Sequence, residues 1–98
     1  MIRMKKAYFV YILANTWNTV LYVGVTVNLQ QRILEHRSNT VPGFTNKYRV
    51  HKLVYFEKFN DIYEAISREK QIKSGSRAHK EDLINRLNPW WKDLSNDL

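Results

Sequence analysis

A chain of 98 residues with a net charge of +7 and no cysteine is expected to form one domain around a single core, with no disulfide and no thiolate metal site. Its composition, 44% hydrophobic and 13% aromatic, excludes an intrinsically disordered chain. No stretch reaches the ~20 apolar residues of a membrane-spanning helix, so a soluble, cytoplasmic protein is expected.

The charge is lopsided. Residues 1–56 hold eight Lys or Arg against one acid, Glu35, whereas residues 57–98 hold eight of each sign. A basic half concentrates phosphate and suits a nucleic-acid partner, although a solvated surface or an anionic membrane accounts for charge alone.

The chain opens on a basic segment and an apolar run, Ala7–Ala14 (AYFVYILA). The run is at the short end for a secretory leader, and Asn15-Thr16-Trp17-Asn18-Thr19 reads as a turn instead of a cleavage site. With Val20–Thr26 (VLYVGVT) it predicts an antiparallel hairpin, apolar enough to be covered on both faces. Asn28 is suited to cap a helix of about Leu29–Asn39, on which Arg32 and His36 share a face. Thr40–Tyr48, with Pro42-Gly43, reads as a loop, and Val50–Phe59 as a third strand.

Asn60 or Asp61 caps a second predicted helix that reaches about Ser74, with Gly75 at its C′ position. Its apolar stripe is Ile62, Ala65, Ile66 and Ile72, and Glu69 falls inside that stripe. A last helix, about Arg77–Leu87, is expected to bury Leu83, Ile84 and Leu87 and to stop before Pro89. The order ββαβαα predicts an α/β or α+β fold, a small three-stranded mixed sheet flanked by three helices.

On this layout the chain resembles the GIY-YIG nuclease superfamily, in particular its small standalone members, over about residues 7–94. The two signatures stand here as Phe9-Val10-Tyr11 and Tyr22-Val23-Gly24. Asn28-Leu29-Gln30-Gln31-Arg32 matches the helix that carries an arginine. The segment from Glu64 through Arg68-Glu69-Lys70 to Lys73 matches the helix that carries a metal-binding glutamate. Asn88-Pro89-Trp90-Trp91-Lys92-Asp93-Leu94 resembles the ending of the small members. Two departures stand out: Phe9-Val10 replaces Gly-Ile, and Val25 stands where several relatives have lysine, leaving Thr26 as a weaker donor.

The resemblance implies hydrolysis of DNA phosphodiester bonds with one divalent cation, Mg²⁺ or Mn²⁺, and a place in DNA repair or recombination. Such chemistry needs an activated water, donors for the phosphate oxygens and a hard cation. Under that reading Tyr11 activates the water, Tyr22 positions it or the phosphate, and Arg32 grips the phosphate with its planar fork. His36 contacts the phosphate or orients a tyrosine, and Glu69 holds the cation. Gly24, Thr26 and Asn88 support the site, and Arg37, Lys47, Arg49 and Lys52 meet duplex or branched DNA. Each residue also has a structural role to weigh: tyrosines in strands pack, helical arginines are solvated, a glutamate in an apolar stripe can be met by a basic neighbour, and Trp90 and Trp91 can cover the sheet. The alternatives are a non-catalytic nucleic-acid-binding module on the same fold and a basic protein-interaction domain.

Overall fold

The computed structural model describes residues 6–38 and 48–98. Within them the order is β1 (Tyr8–Ala14), β2 (Leu21–Thr26), α1 (Leu29–Arg37), β3 (Lys52–Phe59), α2 (Ile62–Ser74) and α3 (Arg77–Leu87), closed by a 3₁₀ turn at Leu94–Asp97. The predicted Pro42-Gly43 loop and Lys47 lie outside the described residues.

The strands form one sheet in the order β2-β1-β3, and both pairings are antiparallel. The mixed sheet expected from sequence is therefore corrected to an antiparallel one. The passage through α1 carries the chain across β1, so β2 and β3 run parallel to each other but never pair. Each meets only the oppositely directed β1 between them. As the central strand, β1 is covered on both faces, which accounts for its unbroken run of buried residues from Val10 to Ala14.

Alternation along β1 divides the core. Val10, Ile12 and Ala14 face Ala65 and Ile72 of α2 and Ile84 of α3. Tyr11 and Leu13 face Leu29 and Ile33 of α1, with Leu53 and Leu94 beside them. A bulge in β3 keeps this division: Ile12 pairs with Tyr55 and Leu13 with Leu53, so Val54 is the extra residue.

Asn28 caps α1 as expected, Asp61 is the one of the two candidates that caps α2, and Ser76, not singled out from sequence, caps α3. Asn28 accepts from the Gln31 amide, Asp61 from Tyr63 and Ser76 from His79. Gly75 ends α2 with φ −73°, not in the left-handed region. An added Cβ would lie 2.9 Å from Nδ1 of the exposed His79 side chain and 3.3 Å from the Ile72 carbonyl, so a larger residue there requires the imidazole to move aside.

Two stripe assignments are corrected. Ile62 and Leu87 are exposed, and only Ala65, Ile72 and Ile84 of the helical positions named are fully buried. Helices this short cover the sheet with their middle turns, and both residues sit at helix ends. Asn88 is buried, donating through Nδ2 to the Val54 and Lys92 carbonyls at 3.1 and 2.8 Å and accepting from the Lys92 amide at 3.2 Å. It ties the end of α3 to β3. Of the two neighbouring indoles, Trp91 packs on the α2/α3 side of the core and donates to Asn85, whereas Trp90 is 88% exposed.

Candidate active site

Three rings meet between the sheet and α1. Tyr11 on β1 and Tyr22 on β2 lie with ring centroids 6.3 Å apart. His36, from the last turn of α1, stands edge-on to both, 6.2 Å from Tyr11 and 5.6 Å from Tyr22. The hydroxyl of Tyr11 is 3.3 Å from His36 Nε2, and both side chains are only 1% exposed. In the tautomer protonated at Nδ1, the phenol donates to Nε2.

The two signature segments build this cluster by register. Tyr11 pairs with Gly24, and its ring lies over the glycine so closely that a Cβ there would fall 2.5 Å from Cζ and 2.9 Å from Cε1. The absence of a side chain on Gly24 is what lets the phenol lie against β2. Thr26, two residues on, is buried, and its hydroxyl accepts from the Asn28 amide at 3.2 Å. That bond sets the entry into α1, and with it the direction of Arg32 and His36.

Arg32 and Glu69 come from α1 and α2, whose buried residues pack on the two different faces of the sheet. Arg32 lines a shallow cavity of about 270 Å³ with Val25 and Thr26 of β2 and Ile62 and Ile66 of α2. Glu69 follows Ile66 by one turn and so extends the same strip of α2. Its side chain is 17% exposed, and its ion pair with Lys73 is long, at 3.9 Å. The pair of Arg32 with Glu35 is equally long. The residue before Glu69 fixes the helix: Arg68 lays its guanidinium on the Glu57 carboxylate of β3, with Nε 3.1 Å from both oxygens and Nη2 2.9 Å from Oε2. Tyr55 donates to the same carboxylate. Burial pushes Glu57 up, but these donors outweigh it and hold the carboxyl below its ordinary range. Tyr55 itself is pushed up to about 12, chiefly by burial.

The electrostatics of the tyrosine cluster run against a free phenolate. Burial raises the pKa of Tyr11 first, Tyr22 raises it further, Arg32 opposes, and Glu35 and Glu69 add to the rise. The lowering by Arg32 expected from sequence is present but outweighed. His36 is lowered from its usual value by burial and by Arg32, so it is a neutral imidazole near pH 7 and can accept a proton.

For a metal, the donor set fits a single-carboxylate arrangement. Among the described residues no group of three His, Cys, Asp or Glu side chains gathers. Glu69, partly exposed and loosely paired, matches the Mg²⁺ mode in which one carboxylate shares the ion with waters and substrate oxygens.

The expected DNA contacts divide. Arg37 is engaged by Asp93 and by Ser95 Oγ, tying α1 to the closing turn. Lys52 donates to Asn18 Oδ1 at 2.6 Å, and Arg49 is exposed with φ 53°. Sequence reasoning passed over Arg68, Glu35 and His51; the last two act on His36, one raising and one lowering its pKa. The signal for Arg68 was its position beside Glu69. Glu35 was marked only as the single acid of the basic half.

Residues 7–82 match the family model described as the GIY-YIG catalytic domain. The chain is similar to the UPF0213 protein of Natronomonas pharaonis, 37% identical over 81 residues that cover 83% of this chain and 94% of the relative. It is 42% identical over 79 residues to a UPF0213 protein of Syntrophus aciditrophicus, covering 80% and 90%. Its fold is similar to the solution NMR structure of the UPF0213 protein BH0048 from Bacillus halodurans, with a TM-score of 0.57, 28% identity and coverage of 89% and 92%.

Proposed function

The chain belongs to the GIY-YIG family, whose catalytic domain implies nuclease activity, and from that premise we propose that it is a divalent-metal-dependent DNA endonuclease. The observation that carries this reading is the closed Tyr11–His36–Tyr22 cluster, with the charges of Arg32 and Glu69 both felt at its central phenol.

In this reading Glu69 holds Mg²⁺ or Mn²⁺. Once bound, the cation supplies charge for the phosphate oxygens and reverses the sign of the field that Glu69 otherwise places on Tyr11. Arg32 grips the scissile phosphate through its fork. The proton of Tyr11 passes to His36 Nε2 as the phenol oxygen takes one from the attacking water, whose oxygen bonds to phosphorus while the bond to the leaving sugar oxygen breaks and that oxygen takes a proton from solvent, so no free phenolate has to exist beforehand. His36 thus orients Tyr11, the second of the two roles open to it from sequence, and in addition takes up its proton. Tyr22, packed on both, keeps the ring positions fixed.

The test is cleavage of linear duplex, branched and single-stranded DNA by the purified protein with Mg²⁺ or Mn²⁺ and with EDTA. Cleavage that EDTA abolishes supports the reading. A folded protein that binds DNA but cleaves none of these substrates would leave a nucleic-acid-binding module on the same fold.

A further inference from the structure

A second basic feature lies at the other end of β1, beyond the tyrosine cluster. A cavity of about 350 Å³ is lined by Thr16, Arg37, Arg49, His51, Lys52 and Asp93. Lys52 pairs with Ala14 across β1 and β3, three residues along the strand from Tyr11, or ~10 Å. Asp93 is engaged by Arg37, by Ser95 and by the Leu53 amide and its charge also reaches Lys52, so the cavity holds three cations, Arg37, Arg49 and Lys52, against one carboxylate. His51 Nδ1 is buried with no hydrogen-bond partner among the described residues, which marks this wall as incompletely satisfied.

The rim adds an aromatic face. Trp17, at the tip of the β1–β2 hairpin, is 80% exposed. It stands between Thr16, which lines the cavity, and Asn18, which accepts from Lys52. The hairpin is stiff at this point. Asn15 Oδ1 accepts from the Thr19 and Val20 amides, and Arg77 of α3 donates to the Asn18 and Thr19 carbonyls. Trp17 is therefore an exposed indole on a braced turn, next in the chain to a residue that lines a cavity of positive charge.

We propose that this corner is a subsite for an unpaired nucleotide of the DNA substrate, its phosphate in the cavity between Arg49 and Lys52 and its base stacked on Trp17. An indole face and a phosphate pocket side by side are the two elements of single-strand recognition. A duplex offers the phosphates but keeps its base faces stacked on one another, so it would use the cations and leave the indole in water. Because the subsite lies ~10 Å along β1 from Tyr11, it would direct cleavage to DNA with an unpaired segment near the scissile bond. The proposal rests on the nuclease reading above.

The test is binding in EDTA, by fluorescence anisotropy, to a duplex, a single strand and a duplex carrying a single-stranded flap. The native protein binds the flapped and single-stranded DNAs more tightly than the duplex. Trp17→Ala lowers that preference about tenfold, the effect of one lost base stack, and Trp17→Phe retains most of it. Arg49→Ala reduces the slope of log affinity against log salt on the single strand by about 0.7. Equal affinity for duplex and flap, or a Trp17→Ala variant whose preference is unchanged, would overturn the proposal. Since the measurement needs no cleavage, it separates the two ideas. Absent cleavage with the preference intact removes the nuclease reading alone, and metal-dependent cleavage without the preference removes the subsite alone.

Discussion

Substituting Gly24 by alanine isolates the contact on which the tyrosine cluster is built. In an ordinary strand interior this change is stabilising by roughly 0.5–1 kcal/mol, because glycine loses more backbone entropy on folding. Here the new Cβ would lie 2.5 Å from Tyr11 Cζ and 2.9 Å from Cε1, about an ångström inside normal carbon–carbon contact. The ring cannot swing clear easily, since Tyr11 is 1% exposed and packed by Tyr22 and His36. Overpacking of this kind costs about 1–3 kcal/mol, so after the entropic gain the net effect is a destabilisation of about 1 kcal/mol. Urea unfolding of Gly24→Ala, Tyr11→Ala and the double variant tests the cause. In the Tyr11→Ala background the alanine at 24 should be neutral or slightly stabilising. Additive losses would refute the assignment of Gly24 to the Tyr11 contact.

Asn88→Ala leaves the Val54 and Lys92 carbonyls without their donor and is expected to lower stability by about 1–3 kcal/mol. Thermal unfolding should register this as a fall of several degrees, and an unchanged Tm would mean that water replaces the amide. His36 sets a pH dependence. Its pKa is lowered in the fold by burial and by Arg32 and His51, against Glu35, so below about pH 6.5 the unfolded chain binds more protons. Stability should therefore be full above pH 6.5 and fall as pH drops through the folded pKa of His36. Glu57 and Asp93, also lowered, act in the same direction but only below about pH 4.5. Urea midpoints between pH 7.5 and 5 should flatten in His36→Gln, and an unaltered slope in that variant would contradict the burial of a neutral imidazole. Arg68→Ala should release the α2–β3 tie and lower cleavage by more than it lowers DNA affinity, because it sets the direction of Glu69 without touching DNA. Equal losses in the two measurements would place Arg68 on the DNA instead.

Much of the fold was legible because local signals agreed. The aromatic and β-branched runs at Tyr8–Ala14 and Leu21–Thr26, and the caps Asn28 and Asp61, mark elements whose observed bounds differ from expectation by a residue or two. The β1–β2 hairpin was legible as well; what sequence could not give was the partner of β3. The central place of β1 depends on which side β3 returns to, and no local propensity encodes that side. The helix-end residues Ile62 and Leu87 look like core by spacing, yet only the packing of short helices on a small sheet decides which turns are covered.

For the site, the order of Tyr11, Tyr22, Arg32, His36 and Glu69 was readable from motif spacing, and the structure brings the three rings together. The raised pKa of Tyr11 was not readable, because desolvation depends on how closely α1 covers the ring. Nor was the diversion of Arg37 to Asp93, a contact between residues 56 apart in sequence. Trp17 carried no motif at all, and only its exposure on a braced turn singles it out.

The most direct measurement is the single-turnover cleavage rate of the native protein beside Tyr11→Phe and Glu69→Ala, with DNA affinity determined on the same samples. A nuclease centred on these groups should lose about 10²-fold or more in rate in each variant, with affinity nearly unchanged and the native rate abolished by EDTA. Cleavage that persists at the native rate in either variant would contradict the assignment of that residue to the chemistry, and persistence in both would place the active site elsewhere.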